Sequence, residues 1–230
     1  MDQGKYHNNE ELYGRFVEEL YEKNPPISLG PEYADFITNN SLQLLIRLAR
    51  YKFAARMIKR SDDVLEVGCG SGLGAVFLGQ HARKVTGIEI KSHDLAEAEA
   101  INRRDNVRFL QADFFAYDPP QRHDVSVCLD VIEHLTPEIG ERFVERMSQV
   151  IAADGMAIVG TPSIYSYPYQ GELSRASHVK CYDQAELVAL MDRYFSRTLV
   201  FSMNDEMVHT GHPKLAWYYF VIGVMPRRKV

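Results

Sequence analysis

The sequence has 230 residues, of which 46% are hydrophobic and 25% are charged, and this is enough for one domain with a substantial core. The formal net charge is -5, so the surface as a whole does not attract a phosphate backbone, and we expect no nucleic-acid partner. Three cysteines without a C-x-x-C spacing argue against a disulfide framework and a structural zinc site.

Two stretches bear on cellular location. Residues 1–9 are polar and lack the apolar core of a signal peptide. The apolar run at residues 216–225 is about half as long as a membrane span requires. We therefore expect a cytoplasmic protein without a membrane span, and the sequence does not indicate its oligomeric state.

Residues 1–60 are predicted to form a helical cap or lid ahead of the core. Apolar residues at helical spacing from Leu42 to Met57 predict an amphipathic helix over residues 42–59 that packs on the sheet. Its basic residues form either an anion-binding patch or a solvated helix face. These residues are Arg47, Arg50, Lys52, Arg56, Lys59 and Arg60.

Residues 61–230 are predicted to form the core, because short apolar runs alternate with amphipathic segments as in βαβ units. The predicted strands are residues 63–67, 84–90, 107–111, 124–130, 155–161, 198–203 and 215–224. The predicted helices are residues 72–81, 92–102, 137–151 and 183–194. The pattern predicts a mostly parallel, seven-stranded α/β sheet with helices on both faces and an antiparallel final strand. The connections 161–182 and 204–214 are long enough to suggest a functional role.

A glycine-rich turn follows the first predicted strand. Gly68 and Gly70 leave room for a ligand to approach the backbone. Glu89 ends the second strand, where it can accept hydrogen bonds from ribose hydroxyls, and Asp113 follows the third, where it can accept from an adenine amine beside Phe114. Because ligands of open parallel sheets bind at the carboxyl ends of the strands, these features predict one nucleoside site.

These motifs resemble those of the class I S-adenosylmethionine-dependent methyltransferases over roughly residues 61–161. The matching segments are Leu-Glu-Val-Gly-Cys-Gly-Ser-Gly at 65–72, Gly-Ile-Glu at 87–89, Ala-Asp at 112–113 and Cys-Leu-Asp-Val-Ile-Glu-His-Leu at 128–135. The resemblance implies a Rossmann-like fold, S-adenosylmethionine as cofactor and methyl transfer to a small molecule. It implies these cofactor-binding residues: Glu66, Gly68, Gly70, Glu89, Ile90, Asp113, Phe114, Leu129 and Asp130.

A hydroxyl acceptor needs a base, and histidine is suited to that role near neutral pH. His134, after the fourth strand, is the first candidate and His178, in the loop after the fifth, is the second. The spacing of Asp130, Glu133 and His134 also resembles that of quinone-precursor O-methyltransferases, in which these positions are linked to metal binding and the first is usually Glu. The three side chains are therefore a candidate site for Mg, Mn or Zn. Alternatively, Glu133 and His134 cap the helix that follows.

Several acceptors and activities remain open. A sugar, a quinone precursor or a natural-product intermediate fits hydroxyl methylation, while nitrogen and carboxylate acceptors are not excluded. A non-catalytic binding module can keep the same fold. A nicotinamide-dependent oxidoreductase is disfavoured because Leu73 breaks the Gly-x-Gly-x-x-Gly register counted from Gly68, and an aminopropyltransferase because no second acidic pair is apparent.

Overall fold

A central sheet of eight strands organises the chain, in the order β3-β2-β1-β4-β5-β8-β6-β7. The computed structural model describes residues 3–228, with side chains from residue 9 onward. Residues 1 and 2 of the predicted cap and residues 229 and 230 of the predicted core lie outside it. The strands are β1 (Asp63–Val67), β2 (Lys84–Glu89), β3 (Val107–Gln111), β4 (His123–Leu129), β5 (Ile151–Pro162), β6 (Phe195–Asn204), β7 (Met207–His209) and β8 (Tyr218–Pro226).

Eight α-helices are described around this sheet. They are α1 (Gln3–Lys23), α2 (Pro31–Asn39), α3 (Ser41–Met57), α4 (Leu73–Leu78), α5 (Ser92–Ile101), α6 (Pro137–Val150), α7 (Glu172–Ser177) and α8 (Gln184–Asp192). Short 3-10 helices occupy Ile132–His134, Ile164–Tyr169 and Pro213–Leu215.

Both faces of the sheet are buried, which explains the near-continuous apolar strands. Adjacent residues of β1 point to opposite sides, so Val64 packs in the apolar cluster under α3, α4 and α5, whereas Leu65 packs in the cluster under α6 and α8. Strands β1 to β5 pair in parallel, and β8 pairs antiparallel with both β5 and β6. The predicted mostly parallel sheet with an antiparallel final strand is therefore confirmed.

The structure differs from the predicted elements in several places. Helix α4 begins only at Leu73, because Gly72 has a left-handed φ of 82° that a helix cannot contain. Strand β5 begins at Ile151, four residues earlier than predicted. The prediction missed these first residues because they lack a clear apolar alternation. The connection at residues 204–214 contains the extra edge strand β7, which pairs with β6.

The connection predicted at residues 161–182 contains the 3-10 helix Ile164–Tyr169 and helix α7. Within the described residues, no helix combines the length and apolar character needed to span a membrane. Because β1 to β4 are parallel, their carboxyl ends meet at one edge of the sheet, and the residues that follow them are brought together there.

Candidate active site

A cavity of about 1180 Å³ opens at the carboxyl ends of β1, β2 and β4. Its wall also includes residues of α2, α3 and the segment after β5. Ligand pockets commonly measure ~300–1,000 Å³, so this cavity has room for a nucleoside cofactor together with a second small molecule. The predicted cofactor-binding residues that line it are Gly68, Gly70, Glu89, Ile90, Asp113, Phe114, Leu129 and Asp130.

The glycines of the turn after β1 differ in what surrounds them. At Gly70, which has a φ of 51°, no described atom lies within 4 Å of the place where a Cβ would stand. A Cβ at Gly72 would overlap Ala98, and one at Gly74 would overlap the ring of Tyr51. Gly70 therefore faces open cavity space, while Gly72 and Gly74 permit close packing. At Gly68 the predicted room for a ligand is not found, because a Cβ there would overlap Val131.

The Glu89 carboxylate is held by the backbone around it. One oxygen accepts hydrogen bonds from the amides of Ile90 at 2.9 Å and Lys91 at 3.0 Å, and the other accepts from the amide of Gly70 at 3.0 Å. These three donated hydrogen bonds fix the position of the carboxylate. Glu89 thus presents an oriented carboxylate to the cavity next to the glycine turn.

Glu66 lies in a different environment, although it is also at the end of a strand. Its side chain is 1% exposed, does not line the cavity, and hydrogen-bonds with Tyr51 of α3. Its Oε2 has no hydrogen-bond partner among the described residues. Burial raises the pKa of Glu66 to about 8, since the charged form is poorly solvated there.

The residues predicted to contact adenine lie at the end of β3. Asp113 is exposed in the cavity wall, and its Oδ1 accepts a hydrogen bond from the amide of Phe115 at 2.9 Å. Phe114 is 6% exposed and packs against Phe143 with ring centroids 5.0 Å apart. Phe114 therefore belongs to the core as well as to the cavity wall.

Asp130 directly follows β4 and forms an ion pair that spans 80 residues of sequence. Both carboxylate oxygens accept from Nη1 of Arg50, at 2.8 and 2.7 Å, and the guanidinium lies 4.1 Å from the centre of the Tyr218 ring. Asp130 has a left-handed φ of 59°, which is uncommon outside glycine. Helix α3 thus holds the end of β4 in place through Arg50.

The basic residues of α3 therefore do not all form a solvated face. Arg47 pairs with Glu32 of α2 at 2.8 Å and, like Arg50, lines the cavity, whereas Lys52, Arg56, Lys59 and Arg60 are exposed. Arg50 and Tyr51 were not among the predicted cofactor-binding, catalytic or metal-binding residues. Their partners lie in other elements, and the helical spacing indicated only that α3 packs on the sheet.

Beyond Asp130, three side chains with metal-ligating atoms converge. Glu133, His134 and His178 each offer one such atom, and these atoms all lie within 4.8 Å of one another. Glu133 is fully buried, its Oε2 accepts from the Thr161 hydroxyl at 3.0 Å, and its Oε1 has no partner among the described residues. Burial, followed by the charge of Asp130, raises the pKa of Glu133.

The hydrogen bonds of the two histidines define which nitrogen carries the proton. Nδ1 of His134 lies 2.9 Å from the carbonyl oxygen of Ser177, and Nδ1 of His178 lies 2.8 Å from Oε1 of Gln170. These oxygens only accept hydrogen bonds, so each Nδ1 donates and each Nε2 is left for another partner. Burial lowers the pKa of His178, which favours its neutral form.

This arrangement alters two of the sequence-based predictions. The cluster contains His178 in place of Asp130, because Arg50 occupies both oxygens of Asp130. The alternative that Glu133 and His134 cap the next helix is wrong. Thr136 caps α6 by accepting from the amide of Ile139, while Glu133 and His134 bond to residues far away in the sequence.

Comparisons with known proteins agree with the fold and the motifs. Residues 64–155 match the family described as a methyltransferase domain. A ubiquinone biosynthesis O-methyltransferase of Rickettsia conorii is 34% identical over 101 residues, which is 43% of this chain and 34% of that protein. A probable S-adenosylmethionine-dependent methyltransferase of Mycobacterium tuberculosis is 32% identical over 131 residues, which is 56% of this chain and 46% of that protein.

The match at residues 64–155 and the named relatives support a class I S-adenosylmethionine-dependent methyltransferase. The chain shares its fold with the N-methyltransferase NodS of Bradyrhizobium japonicum, with a TM-score of 0.58 and 14% sequence identity. The match covers 84% of this chain and 99% of NodS, whose structure contains S-adenosylhomocysteine. The methyltransferase chain spans less than half the length of the two curated relatives that it matches. These relatives therefore support the family and its cofactor, S-adenosylmethionine, and they leave the acceptor open.

Proposed function

We propose that this methyltransferase transfers a methyl group from S-adenosylmethionine to a hydroxyl oxygen of a small molecule bound in the same cavity. The observation that carries the proposal is that Glu133, His134 and His178 line one cavity together with Glu89 and Asp113. A sugar, a quinone precursor or a natural-product intermediate offers a suitable hydroxyl. The relative from Rickettsia conorii is named an O-methyltransferase, which also favours oxygen.

The residues around the glycine turn fit the cofactor. Gly70 leaves open space for a ligand against the backbone, and Glu89 presents an oriented carboxylate that suits two ribose hydroxyls. Asp113 is exposed in the same wall, with oxygen atoms that suit an exocyclic amine. We assign the ribose to Glu89 and the adenine to Asp113, with Ile90 and Phe114 packing against the nucleoside.

Glu66 suits a different part of the cofactor. A buried carboxylate oxygen without a partner is costly, and a cationic group close to it offsets that cost. The ammonium of the methionine portion is such a group, so we assign it to the turn at Gly68, which lines the cavity, with the Glu66 carboxylate acting from behind that wall. Leu129 and Asp130, at the end of β4, would then border the sulfonium.

The chemistry at the acceptor depends on orientation and on one proton. The sulfonium of the bound cofactor supplies an activated methyl group, so the protein chiefly aligns the acceptor oxygen and excludes water. The free Nε2 of His134 can remove the hydroxyl proton, because its Nδ1 is already committed to the carbonyl of Ser177. His178, oriented by Gln170, is the second candidate base.

The same cluster also fits a divalent cation. Two histidines oriented through Nδ1, together with a carboxylate oxygen that has no partner among the described residues, are a typical ligand set for Zn²⁺ or Mn²⁺. A cation held by Glu133, His134 and His178 would supply Lewis acidity to the acceptor hydroxyl. Asp130 is not assigned to it, because its oxygens are paired with Arg50.

The central experiment measures cofactor binding and methyl transfer separately. We expect calorimetry to show binding of S-adenosylmethionine and no binding of NAD. Incubation with a panel of hydroxylated and amine compounds, analysed by mass spectrometry, should then give O-methylated products. Tight NAD binding, or methylation of amines alone, would contradict the proposal.

A second experiment tests the cation. The protein is treated with EDTA, and its thermal unfolding is followed as Zn²⁺, Mn²⁺ or Mg²⁺ is added. We expect one of these ions to raise the unfolding temperature of the wild type and of Asp130→Asn, but not that of His178→Ala. If EDTA leaves methyl transfer unchanged and no ion shifts the unfolding temperature, the cation is excluded and the histidines act as bases alone.

A further inference from the structure

Two large aromatic side chains, Tyr169 and Trp217, line the cavity in addition to the histidine cluster. Tyr169 ends the 3-10 helix after β5, and Trp217 immediately precedes β8. Their rings are nearly parallel, with an interplanar angle of 8° and centroids 6.4 Å apart. The two segments therefore meet to form an aromatic pair on the cavity wall.

The exposure of this pair distinguishes it from the core aromatics. Tyr169 is 78% exposed and Trp217 is 56% exposed, whereas Tyr219 and Phe220, which follow in β8, are fully buried. Leu173, on α7, also lines the cavity and is 83% exposed. Aromatic surface that stays open inside a cavity makes little contribution to folding and is typical of a ligand-binding wall.

The backbone holds the pair in place. The amide of Trp217 donates to the carbonyl of Met203 at 3.2 Å and to Oδ1 of Asn204 at 2.9 Å, and its carbonyl accepts from the amide of Ser163 at 2.9 Å. These bonds tie Trp217 to the end of β6 and to the segment that leads to Tyr169. The backbone of Trp217 is therefore fixed where its ring meets that of Tyr169.

A single side chain links this surface to the reactive cluster. Gln170 follows Tyr169 directly, and its Oε1 accepts the hydrogen bond from Nδ1 of His178. The rings of His178 and His134 lie 5.1 Å apart, edge to face. Tyr169, Gln170 and His178 thus line the same cavity, and Gln170 connects the segment of Tyr169 to His178.

We propose that Tyr169 and Trp217 form a subsite for a planar ring of the methyl acceptor, whose hydroxyl then faces His134 and His178. The inference rests on the proposed function, because it concerns the acceptor of that same cavity. Parallel aromatic rings favour a flat π-system over a saturated ring, since stacking adds to the burial of apolar area. A phenolic ring and a nucleobase share this chemistry.

The test compares three probes in the presence of S-adenosylhomocysteine: catechol, cis-cyclohexane-1,2-diol and uridine. Catechol and the cyclohexanediol carry the same pair of hydroxyls on a planar and a saturated ring. We expect calorimetry to give an affinity for catechol or uridine about tenfold or more above that for the cyclohexanediol. The stronger of the two planar probes identifies the source of the ring.

Variants assign this preference to the two residues. Tyr169→Leu and Trp217→Leu should each weaken the planar probe about tenfold, and Tyr169→Phe should keep most of the affinity because it retains the ring. Tyr167→Leu is the matched control, since Tyr167 is a partly exposed tyrosine of the same 3-10 helix that does not line the cavity. Trp217 is the only tryptophan of the sequence, so a change in its emission on adding the probe reports this position alone.

The outcomes separate this inference from the proposed function. Affinity for S-adenosylhomocysteine should be the same in all four variants, which also shows that they fold. If the cyclohexanediol binds as well as the planar probes, or if the leucine variants bind them unchanged, the subsite is excluded while the methyltransferase activity can still stand. If S-adenosylmethionine does not bind to the wild type, the proposed function itself fails.

Discussion

The two halves of the cavity differ in how far along the chain their polar contacts reach. In the cofactor half, Glu89 is held by amides at most 19 residues away. In the acceptor half, Glu133 bonds across 28 residues and His134 across 43, and Asp130 at its boundary bonds across 80, while His178 alone bonds locally, across 8.

This difference explains how one fold can serve many acceptors. A cofactor site made by strand ends and a short turn persists when the rest of the chain changes. An acceptor site made by contacts between distant segments changes with each of those segments. We therefore expect substitutions in the two halves to have separable effects, one on cofactor affinity and the other on turnover.

The largest expected effect is in the acceptor half. His134→Ala should lower turnover by about 10²- to 10⁴-fold, the usual contribution of a positioned proton acceptor, while the affinity for S-adenosylmethionine stays within about twofold. Steady-state kinetics and calorimetry measure the two quantities. His212→Ala is the control, because His212 does not line the cavity. Unchanged turnover in His134→Ala would move the base to His178 or remove it.

In the cofactor half, Glu89→Ala should weaken S-adenosylmethionine binding by about 10- to 100-fold, as expected for lost hydrogen bonds to a charged group. Turnover at saturating cofactor should change much less. Glu99→Ala, an exposed position on α5, serves as the control. If Glu89→Ala reduced turnover as strongly as His134→Ala, the prediction that the two halves have separable effects would be wrong.

At the boundary between the halves, Arg50→Met should lower the free energy of unfolding by about 1 to 2 kcal/mol. Breaking a fully buried pair costs ~3–5 kcal/mol, and the cost here is smaller because the Asp130 side chain is 24% exposed. The double variant with Asp130→Asn should recover most of the loss, since asparagine tolerates the left-handed backbone and carries no charge. Urea unfolding measures the effect, and additive losses would show that the pair is not coupled.

A further expected effect is a pH dependence of the stability of the protein without cofactor. Glu66 ionises near 4.5 when unfolded and near 8 when folded, so the unfolded chain releases its proton first as the pH rises. Stability from the neutral side chain is therefore complete below pH 4.5 and is lost as the pH rises through about 8. Glu66→Gln should flatten the decline in urea midpoint between these values, and an unchanged slope would contradict the assignment.

The cofactor half was largely predictable from sequence because its signals are local. Glu66, Glu89 and Asp113 each end or follow a strand that is apolar enough to recognise, and parallel pairing brings those ends to one edge. The order of the elements was predictable for the same reason. The start of β5 was not, because residues 152–154 lack a clear apolar alternation although they belong to the strand.

The acceptor half was only partly predictable because its contacts are tertiary. His134 and His178 were candidates for their positions after strands, yet nothing in their spacing shows that Gln170 and Ser177 orient them. Arg50 resembled a surface residue of an amphipathic helix. Its pairing with Asp130 depends on how α3 crosses the end of β4, which a periodic pattern does not specify.

A crystal structure with S-adenosylhomocysteine tests the central claim most directly. We predict that the ribose hydroxyls lie within hydrogen-bond distance of Glu89, with the adenine amine at Asp113 and the sulfur facing His134 and His178. A nucleoside bound elsewhere, or a sulfur atom that points away from the two histidines, would contradict the account.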